Sequence, residues 1–361
     1  MPAPLNAIDA ISPAFDRIKR QLFQPFRFGF WARMALVALA SGEFYGGGSW
    51  SGMHFNLPSS RRNPGYTFFS GVRPHWEYLL RYLPWIILGV ILAFVLLVLW
   101  IYISSVFRFI LFDSVLTDRC AIKEQWRQWR FLGMSFFLWR ICLGLGTMAG
   151  LGILGGAGAL VALSTGAFKD PRQHILLLVL GGIVAFLVLA CFVILAALIA
   201  LFARDFVVPV MAIENVGVVE GWRRVINLLR LEAKAYAGYV LMKIVLVVGS
   251  AILFGILTLI AVFLIFIPIS IAGVAAYFLA KSHGLLLSFP AIAIGVVLGA
   301  LALALVFYVS AFISVPAMMF FQAYVIHFLG ARYPALGARM STAPSPPGPT
   351  SFADASVSPA G

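Results

Sequence analysis

The side chains best able to do chemistry in this sequence occur as two matching sets. Laying the segment from Arg108 over the segment from Arg204, at a constant offset of 96 residues, brings Arg108 onto Arg204, Asp118 onto Glu214, Glu124 onto Glu220, Trp126 onto Trp222 and Arg127 onto Arg223. Self-similarity at a fixed period marks a duplicated unit. Glu124 with Arg127, and Glu220 with Arg223 and Arg224, stand three or four residues apart, where side chains on one helix face form ion pairs of about 0.2–0.5 kcal/mol. Such a cluster binds an anionic headgroup, a partner or its own members. The blander and stronger reading is that repeated charges at membrane boundaries fix topology and cap helices.

Other chemistry was sought in the residue spacings. The sequence has no HExxH, no Walker A lysine loop, no GxSxG elbow and no paired acids within an apolar run, so no enzyme and no cofactor is expected. His54, His75, His174, His283 and His327 are scattered, and Cys120, Cys142 and Cys191 show no CxxC spacing, so neither a metal site nor a disulfide framework is expected. Ion-coupled carriers need ionisable groups within the membrane. The five strongest apolar runs offer only Arg140 and Lys243, near their ends and able to snorkel to headgroups, and a weaker run, 28–45, holds Arg33 and Glu43 toward its two ends. Proton-coupled transport is disfavoured, and a carrier or flippase for a lipid or uncharged solute is the alternative function.

The elements that must position these residues follow from composition. Of 361 residues 62% are hydrophobic and 11% charged, more apolar mass than one water-soluble core hides. The expected fold is all-α: a polytopic membrane bundle of about six spans. Five are 84–107, 138–163, 175–203, 239–266 and 289–314, and a weaker sixth is 28–45, since a helix needs about 20 apolar residues to cross about 30 Å of hydrocarbon. The uncharged run 244–280 contains Pro268 and reads as a span followed by a short outer or re-entrant helix, with seven spans as the alternative. The 26 Lys and Arg against 13 Asp and Glu fall mostly in the connections, which excludes nucleic acid and invokes the positive-inside rule. With the N-terminus inside, 16 connector cations lie inside and 7 outside, so both termini are expected in the cytoplasm.

The duplicated unit is then a span, a cytoplasmic amphipathic connector and a span, repeated in parallel near 84–163 and 180–259. A fainter third copy is echoed where Val315, Pro316 and Met318 follow the pattern of Val208, Pro209 and Met211. Ile122, Trp126 and Trp129, or Val218, Trp222, Val225 and Leu229, recur at helical spacing, predicting a short helix lying in each inner interface. Residues 1–27 form an amphipathic interfacial segment, with Ser12 and Pro13 at the helix start and Phe15, Ile18 and Leu22 on its apolar face. The connection 46–82 is expected to be irregular, and 341–361 a disordered tail beyond the membrane domain 28–340. Gly146 with Gly150, and Gly152 with Gly156, make GxxxG pairs suited to close helix packing, with an intramolecular contact as the default.

Leu22, Phe23, Pro25, Phe26 and Trp31, the connector residues Pro209, Glu214, Glu220 and Trp222, and Pro316, Tyr324, Leu329 and Gly330 resemble an uncharacterised bacterial multi-pass membrane family. The connector is also similar to the membrane domain of some glycerophosphodiester phosphodiesterases, whose soluble catalytic domain this sequence lacks. The resemblance implies an architecture and a bacterial inner-membrane setting, and no hydrolase activity. The expected function is a non-catalytic membrane protein that organises lipids or partner proteins through its interfacial helices. The expected partners are membrane lipids and either a protein or a second copy. A membrane-embedded enzyme using interfacial Glu and Arg is the third reading.

Overall fold

The computed structural model describes residues 6–23, 27–42, 76–165, 175–282 and 289–342. These fold into α1 (Ile11–Leu22), α2 (Phe28–Ser41), α3 (Trp76–Thr117), α4 (Ile122–Ser164), α5 (Ile175–Phe202), a π-helical turn (Ala203–Val207), α6 (Val208–Glu214), α7 (Val218–Leu231), α8 (Ala233–Ser282), α9 (Phe289–Gly330) and α10 (Pro334–Thr342). The fold is thus a helical membrane bundle, as the apolar runs dictate. Five stretches are long and apolar enough to cross a membrane: Leu83–Thr117, Ile122–Val161, Leu178–Glu214, Ala233–Phe278 and Ala293–Gly330.

Burial divides these helices in two. Their most apolar windows are only 0–6% buried inside the protein, whereas one contiguous core joins Phe109, Ile110 and Val115 of α3, Phe136 of α4, Phe206 of the π-turn, Tyr239 of α8 and Tyr324 and Phe328 of α9. The chain is therefore a packed base from which five apolar rods rise. Both terminal elements belong to the base. The Tyr324 hydroxyl donates to the Ala7 carbonyl at 2.9 Å, and α10 folds back on α9 through Leu336.

Four expectations are corrected. The sixth apolar segment is a helix of 14 residues, about 21 Å long at about 1.5 Å per residue, too short to span. Met34, Ala35, Val37 and Ala38 are fully buried against α3 and α9. Gly42 ends the helix in the left-handed region at φ 73, its N–H donating to the Ala38 and Leu39 carbonyls at 3.1 and 3.2 Å.

Residues 244–280 run within α8, one helix of 50 residues passing through Pro268. A bend in hydrocarbon exposes several backbone groups, whereas a proline in a continuing helix frees few. The first connector holds no separate interfacial helix, because α4 runs unbroken from Ile122 to Ser164. In the second, Glu232 at φ −131 and ψ 45 breaks α7 from α8, while the matching Phe136 is buried within α4. Finally α1 starts at Ile11, with Ala10 and not Ser12 before it. Its buried stripe is Ala10, Ala14, Ile18 and Leu22, and Phe15 is exposed.

The glycine face of α4 is mostly open. A Cβ on Gly146, Gly152 or Gly156 would meet nothing, and of the four GxxxG glycines Gly150 alone lies against a neighbour, the Phe192 ring of α5. The expected interior glycine contact reduces to that residue, because the apolar windows of the rods are almost wholly exposed. The 46–75 part of the expected irregular connection and the tail 343–361 lie outside the described residues.

Candidate functional site

At the first connector α3 ends and its last carbonyls need donors. Arg17 of α1 donates through Nη2 to the Val115 and Leu116 carbonyls at 3.0 Å each, and Gln21 donates to Val115 at 3.1 Å and to the Asp118 carboxylate. Asp118 itself turns the chain at φ 57. Behind it, the Asp113 carboxylate accepts from Gln125 at 2.9 Å and from the Trp129 indole at 3.4 Å. Arg108 is half-buried, while Glu124 and Arg127 face outward and form no ion pair with each other among the described residues.

The second connector is tied more tightly. Asn215 turns the chain at φ 56, Glu214 pairs with Arg224, and Glu220 pairs with Arg223 and Arg224 at 3.3 Å each. Arg339 of α10 donates to the Ile213 carbonyl at 2.8 Å, so each connector helix end is capped by an arginine from a terminal helix. The left-handed turns fall at Asp118 and Asn215, so the expected correspondence of Asp118 with Glu214 does not hold for the backbone turn. Trp126 packs toward Tyr102 and Phe107 at 6.0 and 5.7 Å, and Trp222 lies 5.7 Å from Trp139. Both indoles fold into the base.

The most charged buried point is one that sequence reasoning missed. Asp205 in the π-turn and Lys243 of α8 form an ion pair with side chains only 3% and 2% exposed. The Tyr239 hydroxyl donates to the same carboxylate oxygen at 3.0 Å, and Arg204 approaches the other at 3.4 Å. Aromatic rings close around it: Tyr239 stacks on Tyr324 at 5.2 Å and meets Phe206 at 4.9 Å and Phe328 at 4.8 Å. Burying either charge alone costs several kcal/mol, so the pair exists because each partner answers the other. Lys243 therefore does not snorkel. Arg140 also turns inward, donating to Ser104 and Ser105 at 3.1 and 3.2 Å. The signal for Asp205 was an acid inside the apolar stretch FARDFVVPVMAI, with its cation 38 residues on.

Of the predicted cluster, Glu214, Glu220 and Arg223 come together around Arg224. Arg204 stands instead at the buried pair, and Asp118 joins α1. Among the described residues no three His, Cys, Asp or Glu side chains are placed to hold a metal ion. Cys120 is buried, its carbonyl accepting from Arg33 at 3.3 Å, and burial pushes its thiol above the usual range against the opposing influence of Ser114 and Arg33.

Residues 5–339 match a family of unknown function (DUF7544). No curated protein and no solved structure matches the chain, so nothing links it to the glycerophosphodiester phosphodiesterases.

Proposed function

The chain belongs to this family of unknown function, and from that premise we propose that it is a non-catalytic integral membrane protein that organises lipids or partner proteins through the helices of its base. The observation that carries the reading is the near-complete exposure of the five apolar windows. A surface of that kind is covered by lipid or by protein. We assign the base to the cytoplasmic face of a bacterial inner membrane, because Lys123, Arg127, Arg130, Arg230 and Lys234 are all exposed on it and cations mark that side. The matching arginine caps and left-handed turns support descent of the two connectors from one duplicated hairpin.

The test is native mass spectrometry of the full chain released from mild detergent. Specific lipids or a second protein should travel with it, and a bare monomer under the gentlest conditions would overturn the reading.

A second reading, a carrier, is favoured by Asp205 and Lys243. Ionisable pairs buried among apolar helices are the usual substrate or ion elements of transporters. This removes the sequence argument against ion coupling. In proteoliposomes a carrier would show a solute or proton flux that Asp205→Asn abolishes while the protein still inserts. Absence of any flux in the unaltered protein removes this reading.

A further inference from the structure

We propose that the outward face formed by α4 and α7 is a collar that binds the headgroups of anionic phospholipids. The proposal rests on the lipid-organising reading above and names its ligand class and site. On α4 the exposed residues Lys123, Arg127 and Arg130 lie at helical spacing below Phe131, Met134 and Leu138. These three apolar side chains are 72, 44 and 53% exposed. Because α4 is unbroken, this face is one continuous track that changes from cationic to apolar at Arg130, whose guanidinium sits 4.7 Å from the Phe131 ring.

The level of that change is shared by α7. The Val218 amide donates to the Ser135 hydroxyl of α4 at 3.5 Å, and Trp222 meets Trp139. The outer side of α7 exposes Val219 at 80% and Leu231 at 81%, interleaved with exposed Arg223 and Arg230 and followed by Lys234. Large apolar side chains between cations on one short helix fit an acyl–headgroup boundary and no purely aqueous surface.

The charge balance selects the occupant. Glu220 is engaged by Arg223 and Arg224, and Glu232 by Arg332 at 2.7 Å, so among the described residues of α4 and α7 the remaining acid set against Lys123, Arg127, Arg130, Arg230 and Lys234 is Glu124. Cations flanked by inserted apolar side chains match phosphates held at the edge of an acyl layer, the chemistry of phosphatidylglycerol and cardiolipin.

The full chain is placed in nanodiscs of equal parts phosphatidylglycerol and phosphatidylcholine, and the lipids that remain with the ejected protein are read by native mass spectrometry. Phosphatidylglycerol should be enriched several-fold over the bulk ratio, and less so in high salt. The variant Lys123→Gln, Arg127→Gln, Arg130→Gln, Arg230→Gln, Lys234→Gln should return to the bulk ratio with an unchanged melting temperature. A control with Lys19→Gln, Arg20→Gln and Arg119→Gln keeps the enrichment. Equal enrichment in the five-fold variant and the unaltered chain overturns the collar alone. No enrichment in the unaltered chain also overturns it, while a co-purifying protein would leave the broader organising role standing.

Discussion

Removing the Asp205 carboxylate takes from the buried Lys243 ammonium the carboxylate it pairs with, and breaking that pair fixes the expected result. Asp205→Ala should cost about 3–5 kcal/mol, the penalty of breaking a buried ion pair by removing one member, read as a large fall in the melting temperature of the detergent-solubilised protein. Asp205→Leu with Lys243→Met should recover much of the loss, since the two buried charges are removed together and the remaining cost is the acceptor lost to the Tyr239 hydroxyl and Arg204. A double variant as unstable as the single would disprove this account. Cys120 offers a second reading at this scale. Burial disfavours its thiolate, and the thiolate is the species that alkylates. Maleimides should therefore modify Cys120 only on unfolding, and Cys142 and Cys191, exposed on the rods and facing lipid, should label slowly for the same reason. Fast aqueous labelling of Cys120 in the folded protein would contradict its placement. The spacing of the cysteines was legible in the sequence. The Asp205–Lys243 pair was not, because its two halves lie on separate helices and neither follows a local period.

Helix by helix, the glycines of α4 divide by what stands opposite them. A Cβ on Gly133 would run into the Val106 side chain and backbone of α3, whereas one on Gly152 meets nothing. Gly133→Ala should destabilise by about 1–3 kcal/mol through overpacking. Gly152→Ala should be neutral or stabilise by about 0.5–1 kcal/mol through lower backbone entropy in the unfolded chain. Melting temperatures of the two variants, measured side by side, check the contrast, and equal effects would mean that the α3–α4 contact is misplaced. The α helices themselves were legible, because runs of apolar residues admit no other backbone solution in lipid. The role of α2 was not, since a buried core helix and a membrane span share composition and differ only in length and in what covers them. The expected interfacial helix of the first connector failed for a related reason. Its amphipathic stripe is real, but nothing at Phe136 breaks the helix as Glu232 does in the second.

At the scale of the whole molecule, α1 and α10 close the same end of the bundle, each donating an arginine to a connector carbonyl. Reporter fusions at the two termini should therefore report the same side of the membrane, and opposite readings would break the assignment of both to one base. Arg17→Ala should loosen that end, exposing two carbonyls of α3 at a cost of about 1–3 kcal/mol, seen as faster amide exchange across Val115–Asp118 with the rods unaffected.

The unbroken length of α8 has a mechanical corollary. Its uncharged stretch of 37 residues extends about 55 Å at about 1.5 Å per residue, nearly twice the thickness of an ordinary acyl layer of about 30 Å. Leaning alone would need a slant steeper than the roughly 40° that single-pass helices reach. The surrounding leaflet must swell, or other chains must gather around the protruding tip, and thin-bilayer hosts should drive these molecules to cluster.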